Sequence, residues 1–452
     1  AGCVTRPRQN RPLEVYRPQE GYRYANLAPG KDNSDSLLVV LTFSGGGTRA
    51  AALSFGVLEK LRDTTIVWEG RPRRLLDEVD IVSSVSGGSL TSAYFALYGD
   101  RIFAEFPEKV LYESLQGGIL RRLLAVRNYP KLFSPFYGRT DLMAETFSER
   151  IFGGQTFGDL LAYGHRPYLI INATDIARGS RFEFTQRQFD LLYSDLSSYP
   201  IGNAVAASSA FPGMLTPLTV RNFERRDDYC TPSWIRDELT TNDPDRPRFR
   251  AALEQFSYIE AGRPYIHLSD GGVSDNLGLL PVVHFLTGAS PDDAVRSLVD
   301  NGTVKKVVVI TVNAKRATKS TWNLSAGVLN MIKVLGAVGT APMANFSDAQ
   351  TAYVRAYIRD AEERRSLWQR LVQTLGPERA ASEFPDLARD QVDCSFVEVE
   401  FSRIADEAER DYLNSTPTAF KLKREQVDRL RRAAGAILDR HPAYQALVAE
   451  LR

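Results

Sequence analysis

Histidine and cysteine are scarce in this chain, with four of the first and three of the second in 452 residues. The cysteines, Cys3, Cys230 and Cys394, lie far apart, whereas a structural zinc site needs about four Cys or His ligands at close spacing, so no metal is expected. Cys230 and Cys394 could pair in an oxidising compartment or remain two buried thiols; spacing leaves that open. Long hydrophobic runs are missing as well. None approaches the roughly 18 to 20 residues that span a bilayer, so membrane contact would have to come by another route than a spanning helix. Net charge is also nearly absent, +1 from 56 basic and 55 acidic residues. That leaves no electrostatic footprint for nucleic acid, and no nucleic-acid partner is expected. What remains is an ordinary globular composition, 43% hydrophobic and 25% charged, in a chain long enough to bury a large core.

Residues 1–36 are polar and carry Pro7, Pro12, Pro18 and Pro29, and they read as an arm or tether. The fold is expected to begin at the apolar run LLVVLTF, 37–43, followed by a glycine loop and the helix-forming stretch 50–63. Further strands are predicted at 79–85, 167–174, 265–270 and 304–314, separated by helical or irregular segments. This alternation predicts an α/β fold with a largely parallel sheet flanked by helices, over 37–315. Residues 219–264 are polar enough to suggest a surface insertion. From 316 to 452 the apolar spacing is mostly helical, with one alternating strand candidate at 394–402.

Three short motifs could carry chemistry. In FSGGGTR, Gly45, Gly46 and Gly47 separate a strand from a helix, and a loop without Cβ atoms can aim several N–H groups at one anion. It lacks the G-K-[ST] ending of a nucleotide loop and the dinucleotide spacing, and a plain tight turn is the other reading. In SVSGG, Ser86 would sit where a strand turns sharply into a helix, which exposes a hydroxyl above the sheet. Ser84 replaces the glycine usual in such an elbow, which is tolerable if its φ is negative; a serine-rich turn is the alternative. In SDGG, Asp270 ends a short strand, either as a base for a neighbouring hydroxyl or as an Asx turn.

Together these motifs, in this order, resemble the patatin-like phospholipases, lipid acyl hydrolases with a serine–aspartate dyad. The match runs over about 37–315 and includes the stretch AASSAFPGMLTPL at 206–218. The resemblance implies that Ser86 attacks an ester carbonyl, that Asp270 takes its proton, and that the N–H groups of Gly45 to Gly47 form the oxyanion hole. It implies no cofactor, a phospholipid or other lipid ester as substrate, and a membrane surface as partner. Arg49 could brace the glycine loop, meet a lipid phosphate, or be solvated. A Ser86–Asp270–His284 triad in the chain order of α/β-hydrolases is a rival, as is a non-catalytic lipid binder on the same scaffold.

The start AGCVTRPRQNRP has no initiator methionine and resembles the end of a bacterial lipoprotein signal, which would make Cys3 a lipidated residue tethering the domain to the cell envelope. Two apolar stretches fit a lipid substrate: 117–138, which mixes leucine and aromatic residues with arginine, and the weakly charged 322–343.

Overall fold

The computed structural model describes residues 10–125, 128–260, 262–286, 293–317, 331–389 and 391–452. At its centre is an eight-stranded sheet made of β1 (Leu37–Phe43), β2 (Val79–Val85), β3 (Tyr168–Asp175), β4 (Ser180–Glu183), β5 (Leu218–Arg221), β6 (Tyr265–Asp270), β7 (Lys306–Asn313) and β8 (Asp393–Glu400). The order is β8-β7-β1-β2-β3-β6-β5, with β4 folded back on β3. Neighbours from β8 to β3 are parallel, and β4, β5 and β6 add antiparallel pairings. The sheet is thus mixed and mostly parallel, as the alternating pattern predicts. β1, β2, β3 and β7 are buried at every position, which is why they are continuous apolar or small-residue runs rather than alternating ones.

Seven helices position the site or brace its surroundings: α1 (Thr48–Arg62), α2 (Gly87–Tyr98), α3 (Arg139–Arg150), α4 (Ile201–Ser208), α5 (Met331–Leu375), α6 (Glu407–Ser415) and α7 (Arg424–Arg440). α1 leaves β1 and is buried along most of its length, because α7 packs over the face that the sheet does not cover. Gly56 marks the crossing: a side-chain carbon there would overlap the Arg431 carbonyl of α7.

Two expectations change. The arm does not hang free from residue 10 onward, since Arg11–Pro12 pair with Ser194–Asp195 and Tyr22, Tyr24 and Leu27 are buried in the core. Burying such a side chain is worth about 1.5–3 kcal/mol, and its aromatic rings were hidden among prolines and charges that read as linker. The polar stretch 219–264 begins inside an edge strand, and Ile235, Ala252 and Tyr258 anchor its two helices, so it is bound to the sheet despite its charged surface. The C-terminal region is mostly helical as expected, and its predicted strand, β8, lies parallel to β7 at the sheet edge. Cys230 is exposed, Cys394 is buried, and no disulfide joins them.

Candidate functional site

Ser86 follows the last residue of β2 and precedes the first of α2, with φ 50° and ψ −121°. A non-glycine residue held there costs of order 1–3 kcal/mol, so its surroundings must impose it. They do so with a relay: the Ser86 N–H donates to Ser208 Oγ at 2.8 Å, and that hydroxyl donates to the Asn172 carbonyl at 2.6 Å. The two glycines after Ser86 are required by close approach. A carbon added at Gly87 would overlap the Gly47 carbonyl, and one at Gly88 would lie 2.7 Å from the carbonyls of Phe43 and Ser44. Ser84, at the position where glycine is usual, lies within β2 and is not among the positive-φ residues; its Oγ accepts from Ser92 of α2 at 2.6 Å.

Asp270 closes β6. Its N–H donates to the Ala210 carbonyl at 3.0 Å, Thr174 donates its hydroxyl to the Asp270 carbonyl at 2.8 Å, and Oδ1 accepts the Gly272 N–H at 2.8 Å. The Ser86 hydroxyl acts on the same carboxyl, lowering its pKa against the larger effect of burial. Burial pushes the Asp270 pKa up to about 6, against the opposing pull of the bond from Gly272 and of the Ser86 hydroxyl. Both side chains are nearly inaccessible, at 6% for Ser86 and 4% for Asp270. Residues far apart in sequence are thus brought together, because the end of α4 and the turn after it touch both: Ser208 holds the elbow and Ala210 holds the strand end.

The glycine loop lies beside this pair. Gly46 and Gly47 have φ of 143° and 62°, a conformation that side chains rarely tolerate. The Gly45 N–H is already used, donating to the Asn276 carbonyl at 3.0 Å. Among the described residues no acceptor takes the Gly46 or Gly47 N–H, so of the three glycines expected to form an anion hole these two keep a donor to offer. The positive end of α1, whose N-cap is Gly47, adds to the local field. Arg49 is buried, not solvated: Nε donates to the Ala314 carbonyl at 2.9 Å, and Nη1 to the Thr416 carbonyl at 2.9 Å and Thr418 Oγ1 at 3.0 Å. Burial, and then the charge of Arg316, pulls its pKa down to about 9.

The four histidines stand elsewhere. His284 Nδ1 lies 3.1 Å from Arg181 Nη2, and burial together with that arginine lowers its pKa to about 3, so the ring is neutral. No His, Cys, Asp or Glu group among the described residues could hold a metal ion. Cys3 lies outside the described residues, as do 126–127 of the first apolar stretch and 322–330 of the second. Residues that the sequence alone did not single out are Asn172, Ser208 and Asn276. Ser208 did fall in a flagged stretch, but nothing local in the sequence reveals a partner on another strand.

A family model described as patatin-like phospholipase matches residues 41–283. None of the curated proteins compared with the chain matches it. Two solved structures resemble it at 13% identity: human GIVD cytosolic phospholipase A2, with a TM-score of 0.41 over 92% of this chain and 60% of that one, and VipD from Legionella pneumophila, with 0.31 over 99% and 71%. The chain therefore spans 60% of the length of the human protein.

Proposed function

Since this chain belongs to the patatin-like phospholipase family, we propose that it hydrolyses carboxylic esters of lipids through Ser86 and Asp270 and an acyl-enzyme intermediate. In the first half-reaction Asp270 accepts the hydroxyl proton as Ser86 Oγ adds to the carbonyl carbon, and the oxyanion is met by the N–H groups of Gly46 and Gly47. Collapse expels the alcohol, which takes the proton from Asp270. Water then adds to the acyl-serine with Asp270 again as base, releasing the fatty acid and restoring the serine.

What supports this reading is a serine held at a strained strand-to-helix turn together with a buried carboxyl that burial raises to a pKa of about 6 and that the serine hydroxyl acts on. A carboxylate of ordinary pKa, about 3.9, is too weak a base for this task, and burial supplies the strengthening. Hydrolysis of a short-chain p-nitrophenyl ester tests it. Ser86→Ala and Asp270→Asn should each lower kcat by at least about 10³-fold, whereas His284→Gln should keep turnover. Loss of turnover in His284→Gln as well as in Ser86→Ala and Asp270→Asn would instead favour the triad, and an inactive wild type would favour a lipid-binding protein.

A phospholipid bilayer is the substrate surface in this proposal. Phe133, Phe136 and Met214 are exposed, and Arg139 donates to the Met214 carbonyl at 3.4 Å, so the 128–138 segment and the loop after Ala210 form one apolar, arginine-bearing face. Lipidation of Cys3 would hold this face near a cell-envelope membrane. Transfer of the protein from membrane to soluble fraction in Cys3→Ser tests that attachment.

A further inference from the structure

Building on the hydrolase reading above, we propose that the strap Thr416–Phe420, which joins α6 to α7, forms the outer wall of the oxyanion loop, with Arg49 as the positioning residue that fastens it. The loop is gripped from two sides. On the inner side the elbow presses on it, since a carbon at Gly87 would overlap the Gly47 carbonyl. On the outer side a carbon at Gly47 would stand 2.6 Å from the Ala419 carbonyl. The Gly47 peptide therefore occupies a slot one backbone thick, between the nucleophile turn and a segment from the far end of the chain.

The hydrogen bonds have the same logic. The first N–H groups of a helix have no partner within it, and the Ala419 carbonyl accepts one of them, from Thr48 at 2.8 Å. Arg49, one residue further, ties the Thr416 carbonyl and the Thr418 hydroxyl to the Ala314 carbonyl just beyond β7. Among the described residues no carboxylate pairs with the buried guanidinium, and its hydrogen bonds go to these oxygens. The strap itself is fixed at both ends: Asn414 Oδ1 accepts the Ala317 N–H at 2.8 Å, Phe420 meets the Phe147 ring of α3 edge-on, and Leu413 and Leu422 are buried.

An anion hole works only if its donors point at the place where charge develops, and losing one donor typically costs about 10²–10³ in kcat. Two donors, Gly46 and Gly47, sit directly before the residues the strap holds. Loosening the strap should let them drift from the Ser86 oxyanion while leaving the dyad itself in place. By this inference the helical C-terminal region is part of the catalytic apparatus.

The test uses the whole chain with Arg49→Lys, Thr418→Val and their combination. With a soluble short-chain ester, Arg49→Lys should lower kcat about 10–100-fold with KM changed less than about twofold. Thr418→Val should give a smaller loss, and the double variant should match Arg49→Lys alone, because the hydroxyl acts through the arginine. Amide exchange across 44–51 should quicken in each variant, and this readout needs no turnover; Thr418 is exposed, so its variant also answers the objection that a buried change only unfolds the protein. Unchanged exchange at 44–51 in Thr418→Val and Arg49→Lys overturns the inference. So does a defect confined to KM for phospholipid, which would make Arg49 a phosphate contact instead. Should ester hydrolysis survive Ser86→Ala, the hydrolase reading falls while the exchange data still decide the strap.

Discussion

Asp270 carries a conflict between chemistry and stability that can be measured. Its pKa is about 6 in the folded protein and about 3.9 in an unfolded chain, so the folded state holds the proton more tightly. The stability linked to that proton is present in full below about pH 4 and is lost as pH rises through 6. Asp270→Asn removes the buried charge, and its unfolding free energy should exceed that of wild type by up to about 3 kcal/mol at pH 8, a gap that closes on acidification toward pH 4. Denaturant melts at both pH values check this; equal stability at pH 8 contradicts it. Catalysis has the opposite slope, since the base must be ionised: kcat/KM should rise through an apparent pKa near 6. The strand-to-helix turn at Ser86 and the glycine loop before α1 were legible as turns because each motif is short and its constraint is local, a turn that only small residues permit. Asn172, Ser208 and Asn276 were not, because their roles exist only after β3, α4 and the turn after β6 have come together. The bond from the Gly45 N–H to the Asn276 carbonyl was hidden for the same reason, as its acceptor lies on that distant turn.

Between elements, α1 and α7 approach closely where Gly56 meets the Arg431 backbone. Gly56→Ala places a carbon where there is no space, and overpacking of this kind costs about 1–3 kcal/mol. Urea unfolding should show that loss, and an unchanged midpoint would mean the helices separate without cost. The exposed aromatic segment makes a separable prediction. Phe133→Ser with Phe136→Ser should weaken sedimentation with anionic phospholipid vesicles several-fold and leave soluble-ester turnover intact; unaltered vesicle binding would make the segment purely structural. Strands at this scale were readable wherever both faces are buried, since β1, β2, β3 and β7 are continuous apolar or small-residue runs. β4 and β5 were missed because each is four residues long and carries arginine, too short and too polar to signal pairing.

Across the whole molecule, chain order hides which parts belong together. Composition divides the chain near residue 315, yet β8 pairs with β7 and α7 covers α1, so the later residues complete the sheet and the core of the earlier ones. Removing 316–452 would bare the edge of β7 and the outer face of α1, and the remainder should be insoluble or lack cooperative unfolding; a soluble, cooperatively folding fragment would refute this. The central claim is that Ser86 is a nucleophile activated by Asp270 without an intervening histidine. A long-chain fluorophosphonate tests it most directly, by intact mass and peptide mapping across pH. The account predicts a single adduct on Ser86, formed at a rate that rises through pH 6, is lost in Asp270→Asn and persists in His284→Gln. An adduct that forms equally well in Ser86→Ala, or that depends on His284 and not on Asp270, would contradict it.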